Sequence, residues 1–165
     1  MPNWVMNELT CIFETSEEFQ SFKNKVDEKN FYNSFLPMPE ILVDTQSPHI
    51  APGDFINGVN KSKGTNFLTL ESIALSSDEW DAERAKSIIK NIKAFEETGY
   101  HDWYSWNLDN WGVKWDASNC NSQSVPDFYT VVFDFDSPWG TPEQFVIELS
   151  KLYPDAIFEM VSGSI

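Results

Sequence analysis

Alternation of apolar and polar positions opens the chain. Over residues 4–13, Val5, Leu9, Cys11 and Phe13 share one parity and Trp4, Met6, Thr10 and Ile12 the other, which predicts a strand. Asn7 falls on the first parity, so this strand places an amide where partners are needed. Thr15-x-x-Glu18 is a capping-box pattern, and Phe19, Phe22 and Val26 follow at helical spacing, giving a helix over roughly 16–29. Both patterns stop near residue 30. Leu36-Pro37-Met38-Pro39 excludes a helix interior, because proline lacks the donor and clashes with the preceding turn. Glu40–Val43 reads as a short turn of helix or strand. Residues 44–66, rich in Ser, Thr, Asn, Gly and Pro, read as one long loop. Phe67-Leu68-Thr69-Leu70 is a short apolar run able to pack that loop down.

A long helix starts at Ser76-x-x-Glu79. Ala85, Ile88, Ile89, Ile92 and Phe95 form its apolar stripe, Lys86, Lys90 and Lys93 lie off it, and Gly99 ends it as a left-handed cap. A strand is expected around 113–119, with Val113, Trp115 and Ala117 on one face, then a polar connection over 120–127. Residues 128–136 predict a strong strand, with Val131, Phe133 and Phe135 alternating with Val132, Asp134 and Asp136. Thr141-Pro142-Glu143-Gln144 reads as a capped helix start with proline at the first helical position; Phe145, Val146, Leu149 and Leu152 line its buried face, and Pro154 stops it. A last strand covers Ala156–Val161. With residues 30–110 set aside, the order is strand, helix, strand, strand, helix, strand. That is the α+β, ferredoxin-like split βαβ arrangement, carrying a large helical and irregular insertion at 30–110 within a single domain over 1–165.

Composition narrows the function classes. The net charge of −15, from 26 acids against 11 bases, opposes the phosphate neutralisation on which nucleic-acid affinity rests, and it opposes anionic membranes. It favours a basic protein partner. No stretch has the length of a membrane span, and the N-terminus has no basic and apolar leader pattern, so a cytoplasmic location is expected. Cys11 and Cys120, the two cysteines, are expected to be free thiols.

Trp103-Tyr104-Ser105-Trp106-Asn107-Leu108-Asp109-Asn110-Trp111-Gly112-Val113-Lys114-Trp115-Asp116-Ala117 holds four of the seven tryptophans. Such ring density is either core or a partly exposed groove for a peptide or small aromatic ligand. Trp103, Trp106, Asp109 and Trp111 are the groove candidates. Trp115 is expected in the core.

Several stretches resemble the YubB ferredoxin-like family, proteins encoded on bacterial plasmids and phages. They are Met1-Pro2-Asn3-Trp4 with Asn7 and Leu9, Pro37-Met38-Pro39-Glu40, Asn110-Trp111-Gly112-Val113-Lys114-Trp115-Asp116-Ala117, and Phe135-x-Ser137-Pro138-Trp139. The resemblance spans most of the chain outside 44–75, with Val113 where the family pattern has threonine. It implies a ferredoxin-like α+β fold, a mobile-element origin and hence a bacterial host cell, and it carries no activity.

Catalytic signatures are missing from the sequence. His101, Asp102, Asp109, Asp116 and Cys120 match no metal-ligand spacing, there is no Gly-x-Ser-x-Gly, and no Gly-rich phosphate loop follows a strand. No catalytic residue, metal or cofactor is assigned. An RNA-binding sheet of the RRM type needs stacking rings on its central strands; here Val132, Asp134 and Asp136 occupy that face. Asp134 and Asp136, about 7 Å apart along a strand, together with Glu8 and Asp116, define a candidate acidic binding face. The expected function is a non-enzymatic accessory protein of a phage or plasmid that binds a host or phage protein through this face. The rival is a small-ligand-binding protein or enzyme using the Trp-rich groove.

Overall fold

The computed structural model describes residues 2–164, with the side chain of Ser164 outside the description. It is an α+β structure built on one antiparallel four-stranded sheet. The strands are β1 (Trp4–Ile12), β2 (Ser118–Val125), β3 (Thr130–Pro138) and β4 (Ile157–Ser164), in the spatial order β2-β3-β1-β4. The helices are α1 (Ser16–Lys25), α2 (Phe31–Phe35), α3 (Pro52–Lys63), α4 (Leu70–Ala74), α5 (Glu79–Thr98), α6 (Trp103–Asn110) and α7 (Glu143–Leu152). The chain divides into two compact units: Met1–Pro37 with Trp106–Ile165, and Met38–Ser105.

In the sheet unit, period-2 alternation sets which side of each strand is covered. Leu9, Cys11, Val131, Phe133 and Phe135 are buried, while Glu8 and Asp134 between them are exposed. Phe31 stacks on Phe133 at 4.4 Å, Phe22 meets Phe133 edge-on at 6.0 Å, and Phe145 lies 5.4 Å from Phe31. Helices α1, α2 and α7 therefore cover one face of the sheet with rings, which bury large apolar areas at low rotamer entropy. Asn7, on the covered face, meets its predicted need for partners. Its Nδ2 donates to Ser137 Oγ at 2.9 Å and to the Phe135 carbonyl at 3.3 Å, and its Oδ1 accepts from Ser162.

The second unit has its own core of Val59, Leu70, Ile73, Ala85 and Ile88, with Phe55, Ile56 and Leu68 packed against it. Here the expectation of one long loop over 44–66 is corrected. Residues Pro52–Lys63 form α3, with proline in its first turn and Gly64 in the left-handed region at φ 68° as its cap. Its apolar residues, Phe55, Ile56 and Val59, are spaced at helical intervals but too sparse to stand out among polar neighbours. Asn60 Oδ1 then holds the exit, accepting from Thr65 Oγ1 and Leu68 N. Helix α5 is capped by Asp78 rather than Ser76, and its buried face is turned toward Ala82, Ala85, Ile88, Asn91 and Ala94, leaving Phe95 47% exposed. Asn91 can sit on that face because its Nδ2 donates to the carbonyls of Gln46 and His101.

Two further expectations fail in the sheet unit. The strand foreseen at 113–119 begins only at Ser118, and the polar connection foreseen at 120–127 is mostly β2 itself. An edge strand of sequence Ser-Asn-Cys-Asn-Ser-Gln-Ser-Val is held by main-chain bonds to β3 and buries no apolar face, so its pattern is silent. At α7, Pro142 occupies the cap position without a side-chain cap bond; Phe145 N donates instead to the Trp111 carbonyl at 3.2 Å. Leu152, foreseen on the covered face, is 50% exposed in the last turn.

Candidate functional site

The face of the sheet opposite the aromatic core carries the predicted acids. In the β1–β3 register Glu8 lies directly across from Asp134 and Met6 across from Asp136; in the β1–β4 register Glu8 faces Val161 and Thr10 faces Glu159. Glu8, Asp134, Asp136 and Glu159 thus share one surface spread over three adjacent strands. The four strands contain no Lys, Arg or His. A shallow depression of about 470 Å³ lies over this surface, lined among others by Met6, Glu8, Asn119, Asp134, Asp136 and Val161. Asn119, at φ 52° beside the register shift in β2, donates its Nδ2 to Asp136 Oδ2 at 3.0 Å. Met6 is 55% and Val161 70% exposed, so apolar surface is interleaved with the acids.

Like charges directly opposite in a sheet repel and destabilise it. Glu8 and Asp134 accept that arrangement without a basic neighbour on any of the four strands. No stacking ring replaces Met6, Glu8, Val132 or Asp134 at the centre of this face.

Asp116, the fourth predicted member of the face, is elsewhere. Its two carboxylate oxygens accept the backbone N–H groups of Tyr32 at 2.7 Å, Asn33 at 3.0 Å and Ala117 at 2.7 Å. It fastens the bend after Gly112 to the first turn of α2. Burial raises its pKa, while those three donors pull it down. The position is a correction: Asp116 precedes β2 rather than lying within it, so strand parity does not apply.

The groove candidates fall into separate environments. Trp106 and Trp111 are 8% and 4% exposed and meet edge-on at 5.4 Å; Trp111 Nε1 donates to the Leu36 carbonyl. They fill core space and present little surface to a ligand. Asp109 is on the same α6, which begins with Trp103 in the second unit, where Trp103 N donates to Thr45 Oγ1 and its ring meets Tyr104 edge-on. Trp115, expected in the core, is 39% exposed and pairs with Trp139 at 5.7 Å, with the Lys114 ammonium over both rings. Its neighbours Val113 and Ala117 are buried as foreseen. The residues bend rather than form a strand, so alternate positions no longer share a side.

The remaining titratable groups were not foreseen as a cluster. His49 stacks on His101 at 4.0 Å, His101 stacks on Phe95 at 4.2 Å, and His49 Nδ1 lies 3.5 Å from the carboxylate of buried Asp102. Asp102 also accepts Ser105 N at the start of α6. Cys11 and Cys120 are free thiols; burial pushes Cys11 up and raises Cys120 to about 12, so neither is a ready nucleophile at neutral pH. His101 and Asp102 belong to one unit and Asp109, Asp116 and Cys120 to the other. Among the described residues no group of three or more His, Cys, Asp or Glu is arranged to hold a metal ion, and no helix is long and apolar enough to cross a membrane.

No family model matches the chain, and no curated protein matches it. Among solved structures it is similar to the crystal structure of a protein api92 from Yersinia pseudotuberculosis, assigned to DUF1281, at 13% identity and a TM-score of 0.49, over 99% of this chain and 90% of that one.

Proposed function

We propose that the chain is a non-enzymatic accessory protein of a phage or plasmid, and that its open sheet face binds a protein with a basic surface. The observation that carries this reading is the Glu8–Asp134 pair, set directly across β1 and β3 and joined on the same face by Asp136 and Glu159, with no cation on any strand. A basic partner relieves that repulsion on docking, speeds encounter and sets orientation. The exposed Met6 and Val161 supply apolar contact between the charges. The carboxylates that repel a nucleic-acid backbone suit a protein that itself binds nucleic acid, because such a protein presents the complementary surface.

A ferredoxin-like assignment for the sheet unit is part of the same proposal. It is supported by the order β2-β3-β1-β4, by antiparallel pairing throughout, and by α1 and α7 lying in sequence after β1 and β3. Residues 30–110 then stand as an insertion in a single domain, with 38–105 of it forming the second compact unit, and the resemblance to the YubB family supplies the mobile-element origin.

Affinity capture from bacterial lysate tests the reading when run in parallel with the Asp134→Lys/Asp136→Lys variant and with a control reversal in the other unit, Asp81→Lys/Glu83→Lys. A basic protein retained by the wild type and by the control, and lost from the face variant, is the expected result. Equal retention by all three overturns the assignment of the face.

A further inference from the structure

The two edges of the sheet are finished differently. Against β2 lies the short 3-10 turn Glu28–Asn30, and Ser122 Oγ donates to Glu28 Oε1 at 2.6 Å. At the other edge stands β4. Among the described residues, no backbone hydrogen bond outside its ladder with β1 reaches Ile157–Ser164. An edge strand turns half of its N–H and C=O groups away from its only neighbour, and proteins ordinarily blunt such an edge with lysine, proline, a bulge or a very short strand. β4 has none of these: it runs for eight residues, keeps unbroken register from Ile157↔Ile12 to Ser164↔Val5, and contains neither Lys nor Pro. Ile157 and Val161 on it are 54% and 70% exposed.

Side chains on β4 alternate between the two faces. Phe158, Met160 and Ser162 share the covered side with Cys11, Leu9 and Asn7, while Ile157, Glu159, Val161 and Gly163 lie on the open side with Ile12, Thr10, Glu8 and Met6. A strand added beside β4 would thus lie about 4.8 Å from it, with every second side chain on the acidic side of the sheet and one of these next to Glu159. A second copy of this chain is a poor occupant. Each copy carries a net charge of −15 and would bring another Glu159 to the seam.

We infer that β4 accepts an extended basic segment of the partner as a fifth strand. Main-chain hydrogen bonds to β4 supply affinity, and basic side chains at alternate positions engage Glu159 and reach toward Glu8. This rests on the reading of the open face as a basic-partner surface and names how that partner docks.

Two octapeptides of equal charge separate the two claims: one alternating Lys and Thr, the other of the same sequence with every main-chain nitrogen methylated, which has no main-chain donors and cannot form a ladder. Each is titrated into isotopically labelled protein while backbone amide shifts and hydrogen exchange are followed by NMR. The unmethylated peptide is expected to bind about tenfold more tightly, the scale that a few main-chain hydrogen bonds supply, and to protect alternate amides of Ile157–Ser164. Equal binding of both peptides with shifts on Glu8, Asp134 and Asp136 but no β4 protection overturns strand addition and leaves the acidic face standing. Absence of binding by either overturns both.

Discussion

Single residues divide into those whose environment follows from local pattern and those placed by distant chain. Trp111 and Trp115 sit in one Trp-rich run, yet the first is 4% and the second 39% exposed. Parity put Trp115 inside, and it failed because the segment bends around Asp116, whose bonds to Tyr32 and Asn33 span more than eighty positions of sequence. Trp111→Ala is expected to destabilise the fold by about 3–5 kcal/mol, and Trp115→Ala by about 1 kcal/mol, the scale of an exposed aromatic and cation–π contact; chemical denaturation separates them. Asp116→Ala orphans backbone donors and is expected to cost about 1–3 kcal/mol, read from the same curves. His101 titrates below its ordinary value of 6.5, first through burial and then through the neighbouring His49, against the opposing pull of Asp102. An imidazole with a lowered folded-state pKa binds fewer protons when folded, so its contribution is complete above 6.5 and is lost as pH falls through the lowered value. The thermal midpoint is therefore expected to drop between pH 7 and pH 5, and His101→Phe to reduce that drop.

Among the elements, β1, β3, α1, α5, α7 and β4 were legible because each buries one side and so imprints a period on the sequence. β3 is the clearest: Val131, Phe133 and Phe135 are buried and Asp134 exposed, as its alternation requires. β2 and α3 left no such imprint, one being a polar edge strand and the other a helix with a sparse apolar stripe. The candidate face was legible in three of its four predicted members, Glu8, Asp134 and Asp136, because parity within a regular strand is a reliable guide. Asp116 was misplaced with the start of β2, and Glu159 joins the face only through the β1–β4 register, which strand parity alone does not supply. The connection between α6 and β2 turns on Gly112, at φ 85°, where an added Cβ would lie 3.4 Å from Gln144 N at the start of α7. Gly112→Ala is expected to cost about 1–2 kcal/mol, the penalty of a left-handed residue with a Cβ, visible as a lowered urea midpoint with an unchanged slope.

At the scale of the whole molecule the decisive property is where charge is missing. The 11 basic residues all lie outside the four strands, while four of the 26 acids gather on one side of the sheet. Net charge alone promotes solubility and fast encounter with any cation; a face without cations adds direction to that field. The most direct test of the acidic face is the ionic-strength dependence of the association rate between the wild-type chain and the basic protein it captures, measured beside Asp134→Lys/Asp136→Lys. A rate that falls steeply with salt is expected for the wild type, and a slower rate with a weaker salt dependence for the variant. Identical rates and identical salt dependence for the two proteins would contradict it.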